Sequence, residues 1–156
     1  MSSDSKFCFG LKLNVGLITP REIQTWADKQ ILEGNNDQFV LDICFLGSDT
    51  EVKNYFKKLI RSDLDIHNER LISVNVLKEY ISRKIPSNLD SDLDQYIADV
   101  ELICWHINDL DLTYLVYGHS DLISLSHQKV LNISVKESFD AFLEEIKVWL
   151  EYAHLT

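Results

Sequence analysis

Residues 90–108, DSDLDQYIADVELICWHIN, carry the clearest pattern in the chain. Leu93, Tyr96, Ile97, Val100, Ile103, Cys104 and Ile107 recur at steps of three and four residues, the spacing that lines one face of an α-helix. The carboxylates Asp90, Asp92 and Asp94 crowd its start, where the positive end of a helix dipole favours them. Trp105 falls opposite the apolar stripe, near Ala98, Glu101 and Leu102. Two readings stay open for it: a helix buried on both sides, or an aromatic anchor exposed among carboxylates.

Upstream, Thr19-Pro20-Arg21-Glu22 predicts a helix start. Thr19 can cap, Glu22 completes a capping box, and Pro20 stands where its missing N–H costs nothing. Ile23, Trp26, Ala27 and Ile31 share one face of that helix, and Gly34 ends it. Phe39–Leu46 reads as a short buried helix. Ser48 or Asp49 caps the next, with Val52, Tyr55, Phe56, Leu59 and Ile60 in a stripe and Lys53, Lys57, Lys58 and Arg61 outside. A helix over 70–84 stops before Pro86. Ser134 and Glu137 form a second capping box ahead of Phe139, Phe142, Leu143, Ile146, Trp149 and Leu150.

Two segments depart from this period. From Phe7 to Leu17 apolar residues alternate with others, which reads as a strand or, given Gly10 and Gly16, an extended arm. Leu112–Tyr117 is open between a strand and a short helix. The expected fold is therefore mostly α: a compact bundle of five to six helices with a short N-terminal strand or extended arm. It is expected as one domain over residues 1–156, with 1–6 disordered.

The 156-residue chain holds 25 acids and 15 bases, a formal charge of −10. Most of that excess sits in residues 85–128, which contain Asp90, Asp92, Asp94, Asp99, Glu101, Asp109, Asp111 and Asp121 but no Lys or Arg. A solvated helix face ordinarily mixes both signs, since opposite charges four residues apart stabilise it. An acid-only stretch suits a surface that meets a basic partner. The balance argues against direct nucleic-acid binding and against docking on an anionic membrane.

Catalytic and metal signatures are sparse. Five glycines give neither a G-x-G-x-x-G turn nor a P-loop, and G-x-S-x-G and H-E-x-x-H are absent. Cys8, Cys44 and Cys104 form no C-x-x-C pair and lie among apolar neighbours, which suits reduced structural thiols in the cytoplasm. His106 with Asp109, and His119 with Asp121, lack a third ligand at recognisable spacing. No cofactor, metal or catalytic residue is expected, and the chain is read as a non-enzyme.

Gly16-Leu17-Ile18-Thr19-Pro20, Ile23, Trp26-Ala27-Asp28-Lys29 and Ile31, with Gly47 and Glu51-Val52 beyond, resemble a family of small acidic helical bacterial proteins with a G-L-I-[ST]-P…W-A-D opening. Some of these resemble immunity proteins of polymorphic-toxin and contact-dependent inhibition systems. The resemblance covers about residues 16–60 and brings no catalytic residue with it. It implies a protein that neutralises a cognate basic toxin domain, of which a nuclease is the expected kind. The candidate partner-binding residues are Asp90, Asp92, Asp94, Asp99, Glu101, Trp105, Asp109 and Asp111. The alternative is a helical adaptor or regulatory module whose alternating N-terminal segment pairs with a partner's strand edge.

Overall fold

The computed structural model describes residues 3–59 and 64–153, and every regular element among them is an α-helix. They are α1 (Ser3–Asn14), α2 (Pro20–Leu32), α3 (Gln38–Cys44), α4 (Asp49–Lys58), α5 (Glu69–Arg83), α6 (Leu89–Ile107), α7 (Leu110–His127) and α8 (Val135–Tyr152). Eight helices replace the expected five to six. Ile60 and Arg61, placed by sequence on the fourth of them, lie outside the described residues. Packing divides the chain into two compact units, Met1–Ile72 and Ser73–Thr156.

The expected N-terminal strand is instead α1, and the helix includes Ser3 to Lys6, within the segment expected to be disordered. Alternation misleads here because the helix is apolar on two flanks. Phe7 and Leu11, four residues apart, are buried, while Phe9 and Leu13 lean on the apolar cluster of the first unit. A strand edge for β-pairing with a partner is therefore not offered by this segment. Asp4 fastens the helix, accepting hydrogen bonds from the His67 backbone N–H at 2.8 Å and Asn68 Nδ2 at 3.0 Å.

The first unit closes around Ile23, Ala27, Phe39, Val40, Ile43, Val52 and Phe56. Phe39 is the hub, with the rings of Trp26 and Tyr55 each 6.0 Å from its own. Thr19 and Glu22 make both bonds of the predicted capping box, and Ser48 rather than Asp49 caps α4. Trp26 and Asp28 also have structural tasks. Trp26 meets Phe9 at 4.8 Å, and Asp28 Oδ1 accepts from Cys44 Sγ at 3.4 Å.

In the second unit α7 packs against both α6 and α8. Val100, Ile103 and Ile107 of α6, Leu112 and Val116 of α7, and Phe142 and Ile146 of α8 are almost wholly removed from solvent. Each contributes about 1.5–3 kcal/mol of burial free energy. Two polar ties cross from α7 to α8: Ser126 Oγ and Ser138 Oγ at 2.7 Å, and His119 Nε2 to Glu145 Oε2 at 2.9 Å. Ser134 and Glu137 complete the second capping box. Leu112–Tyr117 belongs to α7, which settles the open choice as helix.

Candidate functional site

The site grows from how α6 distributes its acids. At about 100° per residue, Asp90, Asp94, Glu101 and Trp105 fall in one row along the helix, whereas Asp92 and Asp99 fall on another flank. The row faces a groove between α6 and α7. Asp90, Asp94 and Glu101 line its length opposite Ser120, Ser124 and His127. At the corner where α6 ends lies a cleft of about 270 Å³ lined by Glu101, Trp105, Asp109, Leu110, Thr113 and Tyr117, among others, Glu101 lining the groove as well.

Two residues build that corner. Asn108 ends α6 in the left-handed region, at φ 55° and ψ 45°, a conformation that asparagine tolerates better than most residues. Asp109 then caps α7, its Oδ1 accepting from the Leu112 N–H at 2.9 Å. The floor of the cleft includes Cys104 and Val116. Burial pushes the Cys104 thiol up to about 12, with the negative charges of Glu101 and Asp109 adding to it.

The rim is apolar to a degree that acid-only composition does not suggest. Trp105 is 62% exposed, and on α7 Leu110, Tyr114 and Tyr117 are 67%, 68% and 56% exposed, Leu110 and Tyr117 lining the cleft with it. Leu110, Tyr114 and Tyr117, at spacings of four and three, form a row on the side of α7 opposite buried Leu112, Val116 and Ile123. Leu125 continues it past the solvent-exposed Asp121. Extending the helical wheel from Leu112–Tyr117 to the whole of α7 reveals this row.

This chain matches no family model, curated protein or solved structure.

The seven candidate acids and Trp105 thus take different places. Glu101, Trp105 and Asp109 meet in the corner cleft, Asp111 stands exposed in the first turn of α7 next to it, and Asp90 and Asp94 lie along the groove. Asp92 turns to its own helix start. It accepts from Ser91 Oγ at 2.9 Å, Ser87 Oγ at 3.0 Å and the Asn88 N–H at 3.2 Å, and these bonds hold its carboxyl below the ordinary range. Asp99 is buried, at 9% exposure, with Tyr80 Oη and Gln95 Nε2 donating to it at 2.8 and 2.9 Å. Its carboxylate is not presented to a partner.

Among the described residues no group of three or more His, Cys, Asp or Glu stands where it could hold a metal. Nor is any described helix long and apolar enough to cross a membrane. His119, expected beside Asp121, pairs instead with Glu145.

Proposed function

We propose that this protein works by binding rather than turnover: it is an immunity-type inhibitor that covers the basic surface of a cognate toxin domain in the cytoplasm. The observation that carries the reading is the α6–α7 corner, where an exposed tryptophan, a leucine and two tyrosines stand among carboxylates in a stretch free of Lys and Arg. Aromatic residues that remain exposed on a folded surface, ringed by polar groups, have the composition of an interface centre. The acids would steer a basic partner in and the aromatics would slow its release. A toxin that grips nucleic-acid phosphates must carry such a basic surface, and covering it blocks the substrate.

The groove acids Asp90 and Asp94 extend the negative surface away from the corner and serve as steering charges. Asp92 and Asp99 are left out of the contact because their carboxylates are taken up within the fold.

Isothermal titration with the product of the reading frame adjoining its gene, at low and moderate salt, tests the reading. A tight 1:1 complex that weakens with salt is expected, and no heat at either salt would refute it. Glu101→Lys and Asp94→Lys place the surface: both should slow association. Asp109 is unsuited to charge reversal, since losing the α7 cap would itself weaken the fold.

A further inference from the structure

We infer that the corner cleft is built to receive one arginine side chain of the partner, its guanidinium lying between the Trp105 and Tyr117 rings and facing the Glu101 carboxylate. The inference rests on the reading of this surface as the contact for a basic protein and names the contact at its centre.

Size comes first. At about 270 Å³ the cleft falls below the usual range of small-molecule sites, about 300–1,000 Å³, and suits a single inserted side chain. The lining comes second. Trp105 and Tyr117 supply aromatic walls, Val116 and Cys104 an apolar floor, and Glu101 and Asp109 the charge. A lysine ammonium is compact and strongly hydrated, and an apolar floor strips its water without return. A guanidinium is weakly hydrated on its faces, stacks on aromatic rings, and donates in its plane to a carboxylate. Walls, floor and charge therefore favour arginine over lysine.

Glu101 adds an independent indication. It is partly buried on the cleft wall, yet among the described residues it has no hydrogen-bond or ion-pair partner. Asp109 differs, because one of its oxygens already caps α7. A partly desolvated carboxylate without a partner gains from an incoming cation more than a fully solvated one does. Its charge and that of Asp109 both act on the Cys104 thiol, so the negative field converges on the cleft floor.

The test is a titration of the full-length ¹⁵N-labelled protein with Nα-acetyl-arginine amide, Nα-acetyl-lysine amide and Nα-acetyl-citrulline amide. Citrulline keeps the shape of arginine and removes its charge. The reporter is the Trp105 indole N–H, assigned by its loss in Trp105→Phe and read against those of Trp26 and Trp149. Arginine amide should shift the Trp105 signal saturably, with a Kd on the order of 10 mM, a value expected of one isolated side chain. Lysine amide should bind several-fold more weakly and citrulline amide should leave the signal in place. Glu101→Gln should weaken arginine binding by about tenfold, the weight of one charge-assisted contact. No saturable shift with arginine, an equal shift with citrulline, or an unchanged Glu101→Gln variant would overturn the inference. A failure here alongside a salt-sensitive complex with the toxin domain removes the arginine cleft and leaves the inhibitor reading standing. Arginine binding without any such complex does the reverse.

Discussion

Tyr80 Oη donates a 2.8 Å hydrogen bond to Asp99 Oδ2 from α5 to α6, turning one acid of the base-free stretch into the fold. Both residues are buried, and Gln95 Nε2 is the second donor to the same carboxylate. Burial, then the bond to Asp99, pushes the Tyr80 hydroxyl above its ordinary value. Tyr80→Phe should destabilise the protein by about 1.5–3 kcal/mol, the range for a hydrogen bond to a charged group. Urea unfolding checks it, and a loss under about 0.5 kcal/mol would mean the bond does not stabilise the fold.

Trp105 and Tyr117 lead to the opposite expectation. Both are mostly exposed, so Trp105→Ala and Tyr117→Ala should change stability by no more than about 0.5 kcal/mol. Against a toxin domain of the proposed kind the same variants should lose about 30-fold or more in affinity, the scale of an interface anchor. Thermal melts and titrations on the same samples separate the two effects. A large drop in melting temperature would assign these rings to the fold instead.

Asp109 serves both the cleft and the α7 cap, and two substitutions distinguish the roles. Asp109→Ser keeps an oxygen for the Leu112 N–H and removes the charge. Asp109→Ala removes both, and should cost about 1 kcal/mol of stability. Equal unfolding midpoints for the two variants would show that the cap contributes nothing measurable.

Alkaline pH should find the second unit through Cys104. Its thiol rises from an ordinary 9.0 to about 12, so as pH climbs past 9 the unfolded chain ionises while the folded thiol stays neutral. The folded state then holds the extra proton, and stability that is complete below pH 9 declines between 9 and about 12. Tyr80 and Tyr96, also raised from 10.0, extend the decline from one pH unit higher. In Cys104→Ala the fall above pH 9 should be shallower than in the parent, with Cys44, whose thiol is also raised from 9.0, still contributing. Urea midpoints across pH 8 to 11 measure it, and parallel curves for the two proteins would refute the assignment.

Legibility in the sequence followed amphipathicity. α6 could be read because Leu93, Val100 and Ile107 stand on one side and charges on the other, and α2 and α8 because their capping boxes mark the starts. α1 imitates a strand because Phe7 and Leu11 bury one flank while Phe9 and Leu13 pack on another, which leaves no polar face to set the period. α7 was obscured for a different reason. Its exposed row of Leu110, Tyr114 and Tyr117 repeats the apolar character of its buried row, so the contrast that identifies a surface helix is missing.

For the site, the acid-only composition of residues 85–128 singles out α6 and α7 but not which carboxylates they present. Asp92 and Asp99 look like their neighbours in sequence. Only the serines around Asp92 and the tyrosine facing Asp99 remove them from the surface. Those partners come from side-chain placement, which a helical wheel does not supply. The wheel does place Asp90, Asp94, Glu101 and Trp105 in one row, and that much was available from spacing alone.

Only Asn108 and Asp109 stand between α6 and α7, one in the left-handed region and the other capping the next helix. A joint this short has no slack. An inserted residue parts the left-handed turn from the cap, and Tyr117 loses its register against Trp105. On the proposed reading, this corner can be retuned by exchanging side chains around the joint, but not by lengthening it. Among proteins that share this corner, changes of specificity should arrive as substitutions at constant length.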